Sequence, residues 1–177
     1  MIFGNNKIFQ IDARLSQVAD HTFINYCFLL DNGKIGDISQ ASILNSTIYA
    51  LNNIISSRGT RQCKSSNELC ARAILTYLEE NELINEGEGQ VHEPDFSFDL
   101  DELRRLELDL NAIESFDGYR CFLIEEKGFE RLICRDIVDQ TNFDLKLPKG
   151  YFYDCMSSLS AWITSSTFLA LRQDVNQ

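Results

Sequence analysis

Histidine is nearly missing from this chain: only His21 and His92 occur in 177 residues. Neither sits in a recognisable catalytic motif, and no Gly-x-Ser-x-Gly elbow is present, so nucleophilic catalysis has little to stand on. Each histidine reads as an ordinary surface or core residue. A phosphate-binding loop of the Gly-x-x-x-x-Gly-Lys-Ser/Thr type is also lacking, and Gly87-Glu88-Gly89 places a carboxylate where it would repel a phosphate. No Cys-x-x-Cys pair occurs. Cys27, Cys63, Cys70, Cys121, Cys134 and Cys155 are scattered, most beside apolar neighbours, and a free cysteine packs like a small hydrophobe. His92-Glu93-Pro94-Asp95 gathers ligand-type side chains, but the proline breaks the helix that would align them on one face. The expectation is a protein with no metal and no organic cofactor. No apolar run approaches the roughly 18 residues a membrane span needs. The opening Met1-Ile2-Phe3-Gly4-Asn5-Asn6-Lys7 lacks a basic region followed by an apolar stretch, which makes the cytoplasm the expected location.

What is present is material for a core. Hydrophobic residues make up 44% of the chain and aromatics 11%, enough to fold without staples as a single domain over residues 1–177. The formal net charge is −11. Phosphate contacts require lysine and arginine, so nucleic acid is a poor direct ligand, whereas a basic protein partner suits this charge. The charge is unevenly placed. Between Glu79 and Asp109 twelve carboxylates face only Arg104 and Arg105, so this stretch holds ten of the eleven net negative charges. Within it Glu79, Glu80, Glu82, Glu86, Glu88, Glu93, Asp95, Asp99 and Asp101 are the candidate partner-binding residues. A surface that steers a cationic partner and a patch that merely keeps the protein soluble are the two readings.

Periodicity predicts an α+β fold, with a mainly antiparallel sheet of two hairpin or meander units and amphipathic helices packed on it. Alternation from Lys7 to Leu15 puts Phe9, Ile11, Ala13 and Leu15 on one side, as in a half-buried strand. Phe23 to Leu30 is nearly all apolar and predicts a central strand, with Asn32-Gly33 turning the chain into a returning strand over Ile35 to Ile38. Ser42 is placed to cap a helix bearing Ile43, Ile48, Leu51, Ile54 and Ile55, and Ser65 or Ser66 a second bearing Leu69, Cys70, Ala73, Ile74, Tyr77 and Leu78. Asp99 or Asp101 could cap a third through Leu103, Leu106, Leu110 and Ile113, although leucine alternates with charge over residues 106–110 and makes a strand there a rival. Tyr119 to Glu125 and Phe129 to Arg135 flank Lys127-Gly128 as a second hairpin, followed by a strand over Asn142 to Leu147 and a helix from Tyr151 to about Arg172.

Two blocks carry a resemblance. One runs from Met1-Ile2-Phe3-Gly4 through Phe9 and Ile11 to Asp31-Asn32-Gly33-Lys34-Ile35-Gly36. The other comprises Phe116-Asp117-Gly118-Tyr119, Cys121 to Glu125, Glu130 to Ile133, and Leu147-Pro148-Lys149-Gly150-Tyr151-Phe152. In this order they resemble bacterial immunity proteins of polymorphic toxin and contact-dependent growth inhibition systems, in particular the family numbered forty-two. The resemblance implies a protein that binds the C-terminal toxin domain delivered by a neighbouring cell and blocks it, with no catalytic residues of its own. Many such toxins are nucleases with basic substrate surfaces, which an acidic inhibitor complements. A small cytoplasmic enzyme with an unrecognised site and an adaptor subunit are the alternatives.

Overall fold

A computed structural model describes residues 1–31, 33–64, 67–80, 100–110 and 112–174, and describes side chains within these ranges except at 67, 80, 100 and 167–174. The elements run β1 (Ile2–Asn5), β2 (Phe9–Val18), β3 (His21–Leu30), β4 (Gly33–Ile35), β5 (Ser42–Ile43), α1 (Leu44–Ser56), α2 (Asn67–Glu80), α3 (Leu100–Leu106), β6 (Tyr119–Glu125), β7 (Phe129–Asp136), β8 (Thr141–Pro148) and α4 (Tyr151–Asp174). A 3-10 turn at Glu114–Phe116 precedes β6. All strand pairs are antiparallel, so the α+β expectation holds, but the strands form two sheets. The chain divides into two compact units: residues 1–56, 111–117 and 151–177, and residues 57–110 and 118–150.

In the first unit β2 and β3 pair over nine register positions, from Gln10 opposite Leu29 to Val18 opposite His21. One face of this ribbon carries Phe9, Ile11, Ala13, Ile24, Tyr26 and Phe28, all fully buried, which is the face that alternation predicted. Phe28 is its hub, with ring centroids 5.1 Å from Phe9, 4.7 Å from Phe116 and 5.9 Å from Phe152. The C-terminal helix α4 adds Phe152, Tyr153, Met156, Leu159 and Ile163 to the core. Its first residue is pinned: the Tyr151 hydroxyl donates to the Phe9 carbonyl at 3.1 Å and accepts the Asn5 N–H at 2.6 Å. Gly4 makes room for that junction. Its φ of +101° is left-handed, and an added Cβ would lie 2.4 Å from the Phe9 carbonyl oxygen.

Several expectations for this unit are corrected. Strand β1 is absent from the alternation reading, because Met1 and Ile2 are more than half exposed and leave no alternating pattern. Leu30 pairs with Gly33, so Gly33 already stands in the returning strand, which ends at Ile35 rather than Ile38; Asn32 itself lies outside the described residues. Ser42 does not cap α1. It pairs with Ile24 in β5, and its buried hydroxyl accepts the N–H of Glu114 at 2.8 Å. The buried stripe of α1 therefore shifts to Leu44, Thr47, Ala50, Leu51 and Ile54, leaving Ile43 exposed.

In the second unit β6, β7 and β8 form a meander, and α2 and α3 cover one face of it. Cys70, Ile74, Leu78, Leu103 and Leu106 from the helices pack with Phe122, Ile124 and Ile133 from the strands. The other face presents Cys121, Leu123, Leu132, Cys134 and Leu147, all buried. The third helix stops at Leu106 instead of reaching Ile113. Glu107 bridges to Phe122, and Leu108 donates its N–H to the Cys121 carbonyl at 2.8 Å, so the helix and strand readings of residues 100–110 each describe half of it. Leu108 and Leu110 are still buried, as their leucine spacing implied. Ser65, Ser66 and Asp99 lie outside the described residues, so their capping roles do too.

Candidate functional site

The second unit carries the acidic stretch. Of the nine predicted partner-binding residues, Glu82, Glu86, Glu88, Glu93, Asp95 and Asp99 lie outside the described residues. Glu80 ends α2 without a described side chain. The remaining two flank the stretch on helices that share one cluster, Glu79 beside Leu78 and Asp101 two residues before Leu103. Glu79 is exposed, and its Oε1 accepts a hydrogen bond from Nδ2 of Asn142 at 3.2 Å. Asp101 is exposed in the first turn of α3, 3.5 Å from Arg104. Pairs between such exposed side chains contribute little to stability.

Two other acids of the stretch serve the fold. Glu102 is buried, accepts the Lys64 N–H at 2.7 Å and lies 3.5 Å from Arg105. Glu107 takes two hydrogen bonds from the Arg120 guanidinium, at 3.0 and 2.8 Å. Burial alone would lower the pKa of Arg120, but its bonds to the Tyr77 hydroxyl and to Glu107 outweigh that and raise it. A second network ties α2 to the sheet. Arg131 donates in parallel to both oxygens of Asp144, at 2.8 and 2.7 Å, and reaches Glu68 at 3.1 Å, which Lys146 also contacts at 3.3 Å. The Arg131 bond, then that of Lys146, holds the Glu68 carboxyl below its ordinary range.

Beside these networks lies a pocket of about 600 Å³. The connector after α1 forms one wall, held by the Glu125 N–H donating to the Arg61 carbonyl at 2.8 Å and by Arg105 donating to the Thr60 and Gln62 carbonyls. The β6–β7 turn forms another, closed by the Glu126 N–H on the Phe129 carbonyl at 2.9 Å. Glycines thin the lining at Gly59, Gly128 and Gly150. Glu125 accepts the Gly59 N–H and Glu130 the Gly150 N–H, each at 2.8 Å. Glu126 also lines the pocket, and its Oε1, shut off from solvent, accepts no hydrogen bond from any described residue. Sequence reading missed these three carboxylates. Glu125-Glu126-Lys127-Gly128 marks the first two as belonging to a turn and Glu130 falls on the strand after it, but nothing local announces that Gly59 and Gly150 close over these carboxylates.

His21 is exposed on β3 with its ring 6.4 Å from Phe23, and His92 lies outside the described residues. All six cysteines are free thiols, and among the described residues no group of three or more histidine, cysteine or acidic side chains is placed to hold a metal ion.

A family model described as immunity protein 42 matches residues 1–162, across both units. The fold is similar to that in the crystal structure of CdiI from Burkholderia dolosa AUO158, with a TM-score of 0.57 and 18% identity, the alignment covering 91% of this chain and 99% of that one. No curated protein matches the sequence.

Proposed function

Because the chain belongs to the immunity protein 42 family, we propose that it captures the C-terminal toxin domain of a contact-dependent growth inhibition or related polymorphic toxin system, and does so through its acidic stretch. An immunity protein neutralises a cognate toxin. The finer reading is that this toxin is a nuclease with a basic surface, met in the cytoplasm, and that inhibition is stoichiometric and needs no catalysis by the chain. Likeness to a CdiI fold favours the delivery system. The observation that carries the partner's chemistry is charge: ten of the eleven net negative charges fall between Glu79 and Asp109, so one short stretch of the chain concentrates almost the whole net charge. Such a field repels nucleic acid and raises the encounter rate with a cationic protein. Since the family match runs across both units, residues 1–177 are read as one functional domain. Among the described residues no helix is long and apolar enough to cross a membrane.

Stopped-flow association of the toxin domain with a variant carrying Glu86→Gln, Glu88→Gln, Glu93→Gln and Asp95→Asn, at two salt concentrations, tests the steering surface. Slower association with a flatter salt dependence is expected, with fold stability unchanged, because rim charges act on the on-rate. Wild-type rates at both salts would place the binding surface elsewhere.

A further inference from the structure

We propose that the pocket between the β6–β7 turn and the connector after α1 receives a basic side chain of the toxin, an inference that rests on the immunity reading above. Three features point to a cationic guest. First, the charges are sorted by depth. The carboxylates lie inside, Glu130 at 2% exposure and Glu125 and Glu126 half-buried, whereas Arg58, Lys127 and Lys149 are exposed on the rim. A buried charge acts through a less screened medium than an exposed one, so the interior sets the preference. Second, the Glu126 Oε1 is enclosed and accepts no hydrogen bond from any described residue, although buried acceptors are nearly always satisfied. Because that oxygen is closed to solvent while the side chain is only half-buried, a rotation of the Glu126 carboxylate into the pocket brings it to a guanidinium or ammonium donor that supplies what it lacks. Third, the volume of about 600 Å³ falls within the range of ligand pockets and exceeds what one side chain fills, so a loop tip carrying the basic residue fits. The site is separate in sequence from the acidic stretch: the stretch guides the approach, and the pocket anchors one residue of the docked toxin.

The test titrates ¹⁵N-labelled protein with N-acetyl-argininamide, spermidine, N-acetyl-aspartamide and inorganic phosphate. Saturable amide shifts confined to residues 58–63, 125–130 and 149–150 are expected with argininamide. Glu126→Gln, which keeps the shape and removes the charge, should abolish them and weaken toxin capture at least ~10-fold, chiefly through the off-rate. Gly128→Leu, at a position where an added Cβ meets no atom within 4 Å, should block the pocket without disturbing the fold. Lys127→Gln should leave cation binding unchanged or tighter. Phosphate or aspartamide binding that Lys127→Gln weakens would overturn the proposal in favour of an anion site. Spermidine binding tighter than argininamide, with toxin capture intact in Glu126→Gln and Gly128→Leu, would overturn the toxin assignment and leave the immunity reading standing. That reading fails separately, if wild-type protein captures no toxin.

Discussion

Arg131 grips Asp144 with two parallel hydrogen bonds, 2.8 and 2.7 Å long, across the β7–β8 pair. Arg131 is only 7% exposed, so removing its partner leaves most of a cation's desolvation uncompensated. Asp144→Ala is expected to lower unfolding stability by about 2–3 kcal/mol in urea titration. Asp144→Asn, which keeps one acceptor, should recover part of the loss. An Asp144→Ala variant as stable as wild type would mean that Glu68 alone satisfies Arg131.

Acid should loosen the same network. The Arg131 and Lys146 hydrogen bonds hold the Glu68 pKa below its ordinary value of 4.5. A carboxyl whose folded pKa is depressed stabilises the fold fully above the unfolded value, and that contribution is lost as pH falls through the folded value. Thermal unfolding followed from pH 7 downward should therefore show a shallower loss below pH 4.5 in Glu68→Gln than in wild type. Parallel curves would show that Glu68 does not contribute to the acid limb; the residue is exposed, so the effect is expected to be modest.

Phe28 predicts the largest loss in the first unit. It is fully buried among the rings of Phe9, Phe116 and Phe152. Truncation to alanine removes the centre of that cluster and should cost about 3–5 kcal/mol, with a smaller loss for Phe28→Leu, which keeps apolar volume but gives up the ring contacts. Denaturant midpoints measured at constant m-value check this.

Thiol chemistry offers a check on the pocket's lining. Five of the six cysteines are buried, and Cys63, which lines the pocket, is partly exposed. Burial also pushes the Cys27 thiol up to about 11 and keeps it protonated at neutral pH. Ellman's reagent should therefore modify one thiol rapidly in the native protein and six in denaturant, with mass spectrometry assigning the first to Cys63. Rapid native labelling of several thiols would contradict the burial described.

Much of the fold follows from short-range patterns. The alternation of Phe9, Ile11 and Ala13, the apolar run of β3 and the Lys127-Gly128 turn all specify elements that neighbours on the chain suffice to dictate. What escaped was set by distant partners. Ser42 looks like a helix cap until Glu114 claims its hydroxyl, and the leucines after Leu106 keep their burial while the backbone leaves the helix to meet Cys121. The acidic stretch is readable as composition because charge needs no geometry. The pocket is not, because Gly59, Glu126 and Gly150 converge only through sheet pairing and the folded connector.

The central claim is stoichiometric neutralisation, and one titration tests it most directly. The cognate toxin domain is held at a fixed concentration, its toxic activity is assayed, and the chain is added stepwise at physiological salt. Activity should fall linearly to zero at one equivalent, with a one-to-one complex on size exclusion. Full toxin activity at a large excess of the chain, with no complex formed, would contradict the account.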